Sequence, residues 1–142
     1  MRLFLTGLLT VIATLLDITP ARAASETLHY VITYKWGLIN KEAGDATLTM
    51  QTSGTESRLT LTARTRPWAD KVFAVRDTLL SIADSHTLQP LRYVKSAHEG
   101  GRFSRDEIIF SRKGNHVEGE ARRLRVGKKG ERSENSLRLK AE

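Results

Sequence analysis

The sequence predicts a mainly β fold: a curved antiparallel meander sheet, open or closed into a partial barrel, with one short linking helix and a preceding signal-peptide helix. Residues 28–36 alternate apolar and polar side chains, the period of a half-buried strand. Apolar-rich runs at 75–83, 88–98 and 103–110 are separated by turn-forming clusters, which is typical of consecutive antiparallel strands. A chain of 142 residues suffices for one such domain.

The N-terminus predicts export. Met1-Arg2 is a short positive start, and an apolar run follows over residues 3–16. Ala21-Arg22-Ala23 fits the small-x-small pattern of signal peptidase, so cleavage is expected between Ala23 and Ala24. The run is shorter than the roughly 20 residues that a membrane-spanning helix needs. We therefore expect a signal peptide at 1–23, a periplasmic mature protein and no transmembrane segment in it. An amphipathic core helix is the alternative, but the run has no polar face.

Three strands are predicted before the helix. Residues 28–36 are expected to bury an aromatic-rich face, and the chain is expected to reverse at 40–44. Further alternation predicts strands at 45–51 and 58–64, joined by a hairpin turn at 52–55. Residues 68–73 lack alternation and follow Pro67, which suits a first helical position, so they are expected to form one or two helical turns.

The second half of the chain continues the sheet. The strand at 75–83 is apolar on both faces and is expected near the sheet centre. Residues 24–113 are assigned to the antiparallel β-sheet domain. Residues 114–142 are assigned to a basic C-terminal segment, either edge strands at about 115–126 and 136–140 or a partly disordered tail.

Composition excludes some chemistry. The chain has no cysteine, which excludes disulfides, thiolate zinc sites and cysteine nucleophiles. The four histidines, His29, His86, His98 and His116, lack metal-ligand spacing. The net charge of +7 is concentrated after Ser111, where ten Lys and Arg face five Asp and Glu. We expect no cofactor and no metal.

No catalytic residue is predicted. Asp77, Ser81 and His98 are the residue types of a hydrolase catalytic triad, but Ser81 does not lie in a Gly-x-Ser-x-Gly nucleophile elbow. Asp84 begins an Asp-Ser-His-Thr turn, where its carboxylate is expected to bond backbone N–H groups. Asp77 lies in an apolar strand and needs a partner: Arg76, Arg92 or a backbone N–H. Structural roles are favoured for both carboxylates.

The basic segment has two interpretations. Its cations could bind anionic envelope polymers or head groups; the candidates are Arg122, Arg123, Arg125, Lys128 and Lys129. Alternatively, they belong to a solvated edge strand, where Lys and Arg prevent sheet-to-sheet association. Nucleic acid is disfavoured, because the aromatic residues used for base stacking are missing here.

Aromatic residues supply a second candidate site. Trp36, Trp68 and Phe73 lie near a strand end and on the linking helix, where they could line an apolar cleft in a curved sheet. Ordinary core packing is the alternative for the same residues.

An ordered set of residues carries a resemblance to a known family. The set comprises Tyr34-Lys35-Trp36-Gly37, Gly44 with Ala46, Asp77, Ser81, Asp84, Leu88, Pro90-Leu91, Tyr93 and Glu99-Gly100. Over residues 28–112 the chain resembles the domain-of-unknown-function 3108 family of bacterial exported proteins. The resemblance implies an envelope-associated protein of antiparallel β-sheet without assigned chemistry. Members continue with further strands, so this chain is expected to be a short or truncated one.

Two functions are expected from different classes. The first is a non-enzymatic binding or carrier module, whose curved sheet holds an apolar or amphiphilic envelope ligand. The second is a structural or interaction protein that docks to an envelope partner or an anionic polymer through sheet edges and the basic tail.

Overall fold

The described part of the protein is an eight-stranded sheet with one helix. The computed structural model describes residues 24–36, 38–114 and 116–141. The predicted signal peptide, including Ala23, lies outside the described residues. The elements are β1 (Ala24–Trp36), β2 (Ile39–Ser53), β3 (Glu56–Thr65), α1 (Pro67–Phe73), β4 (Val75–Asp84), β5 (Pro90–Glu99), β6 (Arg102–Lys113), β7 (His116–Val126) and β8 (Arg132–Ala141). In this part of the chain, no helix is both long enough and apolar enough to cross a membrane.

The strands form one antiparallel meander. Their order in the sheet is their order in the chain, from β1 to β8. Each strand pairs with the next, and the described edges β1 and β8 do not pair with each other, so the sheet is unclosed. The predicted antiparallel meander with one short helix is confirmed. β4 is the fourth strand of eight, as expected from its two apolar faces.

The first hairpin differs from its prediction. Residues 40–44 do not form the reversal; Asn40 pairs with Lys35 inside the hairpin, and the turn lies nearer Leu38. A bulge shifts the register between Ile32 and Thr33, and the extra residue in β2 breaks the alternation there. Gly44 is needed for close approach, because an added Cβ would lie 2.7 Å from the Arg64 carbonyl oxygen. The turn-like composition of residues 40–44 therefore belongs to a bulged strand and not to a turn.

Helix α1 is anchored at the ends of the strands. Pro67 occupies its first turn, and Arg66 just before it forms ion pairs with Asp45, at 2.8 Å, and with Glu42. The Thr65 hydroxyl accepts from the Val75 N–H at 2.9 Å and hydrogen-bonds to Asp70 on the helix. These contacts hold α1 as the predicted link between β3 and β4.

The apolar residues are less buried than predicted. Among the described residues, Ala69, Ile82, Val94 and Ala97 are the buried apolar ones. Tyr30 is 47% exposed and Tyr34 is 50% exposed, so the expectation that β1 buries its aromatic side is wrong. β1 is an edge strand, and the described elements besides the sheet amount to one seven-residue helix. Alternation within β1 shows which residues share a face but does not show whether a further layer covers that face.

Candidate functional site

The strand register sorts the side chains into two faces. Directly opposed residues of antiparallel strands share a face, so each chain of pairings defines one row across the sheet. We call one face the leucine face. Its central row is Leu28, Leu48, Leu61, Leu79, Lys95, Asp106, Arg123 and Asn135. A flanking row is Glu26, Met50, Leu59, Ser81, Tyr93, Ile108, Ala121 and Leu137.

The opposite face is more polar at the same end of the sheet. We call it the threonine face, after the rows that cross β1 to β4. These rows begin His29, Thr47, Thr62, Thr78 and Thr27, Thr49, Thr60, Leu80. Hydroxyl groups can remain hydrated, which suits a solvated surface. The two faces thus differ in chemistry across the first four strands.

The leucine face exposes apolar side chains over much of its width. Met50 is 45% exposed, Leu59 40% and Leu137 61%, and these three belong to the same row. Leu48, Leu61 and Leu79, in the adjacent central row, are half-buried. A contiguous exposed apolar surface of this kind marks a binding surface more often than isolated exposed residues do.

A charged cluster interrupts the leucine face at β5 to β7. Asp106 lies directly between Lys95 on β5 and Arg123 on β7. Arg123 donates to both carboxylate oxygens of Asp106, at 2.6 and 2.7 Å. These hydrogen bonds hold the pKa of Asp106 below its usual value, and Arg123, Lys95 and Arg125 add attraction. Three cations therefore surround one carboxylate.

A shallow groove joins this cluster to apolar side chains. It has a volume of about 540 Å³, and its lining includes apolar Tyr93, Ile108 and Leu137 beside Arg123 and Arg125. A second groove of about 530 Å³ is lined by interleaved arginines and glutamates, among them Arg105, Glu107 and Glu120. Opposite charges balance in the second groove, whereas the first combines apolar surface with excess positive charge.

The cations predicted to bind anions do not form one site. Arg123 and Arg125 lie on the leucine face, whereas Arg122 lies on the threonine face and pairs with Glu120 at 2.8 Å. Lys128 and Lys129 lie in the turn between β7 and β8. Lys128 extends over Gly101, where an added Cβ would lie 3.7 Å from its Cε.

The predicted aromatic residues are also separated. Trp68 is half-buried; its Nε1–H donates to the Glu42 carbonyl at 2.7 Å, and Lys41 Nζ lies 4.8 Å from the centre of its ring. Phe73, at the end of α1, contacts Gly100 in the turn between β5 and β6. The two rings thus dock at different hairpins. The backbone of Trp36 ends β1, and its side chain is outside the described part of the structure.

The acidic residues considered for catalysis have structural contacts. Asp77 accepts from the His98 backbone N–H at 3.2 Å, which is one of its three predicted partners. His98 lies on the threonine face against Phe103, with ring centres 4.6 Å apart, while Ser81 lies on the leucine face. Asp84 accepts from the N–H groups of His86 and Thr87, as predicted; the Thr87 N–H contributes most to lowering the pKa of Asp84.

Sequence reasoning missed Lys95 and Asp106. Both lie in the stretches predicted as strands, but neither belongs to a motif. Their proximity to Arg123 comes from the register of β5, β6 and β7, which depends on the lengths of two turns. The sequence of β5 did contain a signal. Lys95 is a charged residue between Tyr93 and Ala97 on the same face of the strand.

Comparison with known proteins identifies the family and no nearer relative. A family model described as a protein of unknown function, DUF3108, matches residues 29–137. This match extends beyond the resemblance at 28–112 and includes β7 with most of β8. No curated protein matches the chain, and no solved structure matches it. Because this family model matches most of the sequence, the chain belongs to the DUF3108 family of proteins of unknown function.

Proposed function

We propose that the protein is an exported, non-enzymatic binding or carrier module that holds an apolar or amphiphilic envelope ligand on its leucine face. The observation that carries this proposal is the exposed apolar surface shared by Met50 and Leu59 and continued by Leu137. Covering such side chains removes apolar area from water, at about 25 cal/mol per Å². The predicted signal peptide supplies the periplasmic location.

The difference between the faces explains why the ligand binds to one of them. Leucine-face residues of β1 to β4 offer apolar contact, while the threonine face presents hydroxyls at neighbouring positions. The grooves are shallow surface depressions. Such depressions suit a ligand that binds reversibly to the surface better than a small substrate that must be enclosed in an active site.

A pair of matched variants tests the proposal. Met50→Asn/Leu59→Asn removes an apolar pair of the leucine face, and Thr49→Asn/Thr60→Asn alters the adjacent pair of the threonine face. Binding of a fluorescent fatty acid is expected to weaken about tenfold in the first variant, a loss of about 1.4 kcal/mol. The second variant is expected to bind like the wild type. Equal binding by all three proteins would remove the leucine face as the site.

Detergent-free native mass spectrometry supplies an independent test. Protein purified from the periplasm is expected to carry a bound amphiphile or to take up an added lipid. A spectrum that shows ligand-free protein before and after lipid addition contradicts the carrier function.

The edge strand β1 favours a second candidate function, docking to an envelope protein. β1 is 13 residues long, contains no proline and is exposed at positions 24–35, so it can accept a partner strand. Val31 is 55% exposed on this edge. Val31→Lys is expected to abolish partner capture in a pull-down, whereas Val72→Lys, at an exposed position of α1, retains it. Equal capture by both variants would eliminate β1 docking.

A further inference from the structure

The central row of the leucine face changes character at one point. Four leucines, from Leu28 to Leu79, are followed by Lys95, Asp106 and Arg123. From β2 to β5 this row spans roughly 14 Å, three strand spacings. An apolar surface thus leads directly into a charged one on the same side of the sheet.

At the charged end, two cationic groups have no ion-pair partner among the residues that the structure describes. Arg123 is engaged by Asp106, at 2.6 Å from its Nε. Among the described residues, no carboxylate forms an ion pair with Lys95 or Arg125. Asp106 holds Arg123, so the three cations and one carboxylate of the cluster leave an excess of two positive charges.

We propose that this cluster is the head-group site for an anionic phospholipid whose acyl chain covers the leucine row. The proposal rests on the carrier function and specifies its ligand. Lys95 and Arg125 would donate to the phosphate oxygens, and Arg123 would add its remaining N–H groups. The groove lined by Tyr93, Ile108 and Leu137 beside Arg123 and Arg125 supplies the apolar surface next to the head group. A neutral head group would leave the excess charge uncompensated.

Two lysolipids that share an acyl chain but differ in head group, both used as monomers, distinguish binding of the head group from binding of the tail. At low salt, lysophosphatidylglycerol is expected to bind about tenfold more tightly than lysophosphatidylcholine, and salt is expected to reduce the difference. Lys95→Gln/Arg125→Gln is expected to remove this preference while still binding lysophosphatidylcholine, which also shows that the variant is folded.

The control removes the same charge elsewhere. Lys129 lies in the turn after β7 and Arg138 lies opposite Glu120 on the threonine face, so Lys129→Gln/Arg138→Gln is expected to keep the preference. Equal losses in both variants would attribute the preference to net charge and overturn the head-group site. Equal binding of the two lipids by the wild type would overturn it and leave the carrier function intact. Binding of neither lipid refutes both.

Discussion

The turn at Gly100 couples helix α1 to the sheet, and substituting alanine there should destabilise the protein strongly. Gly100 has a φ of +54° and donates its N–H to the Ala74 carbonyl at 2.8 Å. An added Cβ would lie 3.0 Å from Cδ2 and 3.2 Å from Cζ of Phe73, and closer still to Cε2. Alanine would therefore be strained by its backbone and would also displace the ring.

Gly54 offers a matched control for the backbone part. Its φ is +57°, and an added Cβ meets nothing within 4 Å. The left-handed conformation costs an alanine about 1 kcal/mol, so Gly54→Ala is expected to lower the free energy of unfolding by that amount. Gly100→Ala is expected to cost about 2–4 kcal/mol, because steric overlap adds about 1–3 kcal/mol.

Urea unfolding followed by tryptophan fluorescence measures both values. In a Phe73→Ala background, Gly100→Ala should cost only the backbone contribution of about 1 kcal/mol. Equal losses for Gly54→Ala and Gly100→Ala in the wild-type background would show that Phe73 does not pack on this turn. Phe73 would then not anchor α1 to the sheet.

Two further predictions concern hydrogen bonds and pH. Thr65→Val leaves the Val75 N–H without its acceptor and should lower the free energy of unfolding in urea by about 1–2 kcal/mol. Thr62→Val, at an exposed strand position, should change the free energy of unfolding little. Equal effects of the two substitutions would show that the Thr65 hydroxyl does not anchor α1. The hydrogen bonds from Arg123 lower the pKa of Asp106 in the folded protein. The ionised Asp106 carboxylate therefore stabilises the fold above about pH 4, and this contribution is lost as the pH falls through the lowered folded-state pKa. Asp106→Asn should therefore lose less stability than the wild type between pH 7 and pH 3; an identical loss contradicts this.

Local sequence patterns predicted these strands because alternation, or an apolar run between two turn clusters, marks them within the local sequence. The runs predicted at 75–83 and 103–110 fall within β4 and β6, and Pro67 starts α1 as expected. The reversal predicted at 40–44 was wrong because a β-bulge and a turn attract the same small and polar residues.

Properties that depend on several strands could not be predicted. The burial of Tyr30 depends on whether another layer covers the sheet, which alternation within β1 does not encode. The cluster around Asp106 depends on the register of three strands, so Lys95 and Arg123 come together from residues far apart in the chain. Adjacent Arg122 and Arg123 were grouped as one candidate site, although neighbouring strand residues point to opposite faces.

Methyl NMR with an unlabelled lysophospholipid tests the central claim most directly, because intermolecular nuclear Overhauser effects (NOEs) report direct contact with one face. The leucine-face methyl groups of Leu48, Leu61 and Leu79 are expected to show NOEs to the acyl-chain protons. Those of Leu80 on β4 and Val94 on β5, on the threonine face, are expected to show none. NOEs of equal intensity on both faces, or NOEs confined to Leu80 and Val94, would contradict a ligand site on the leucine face.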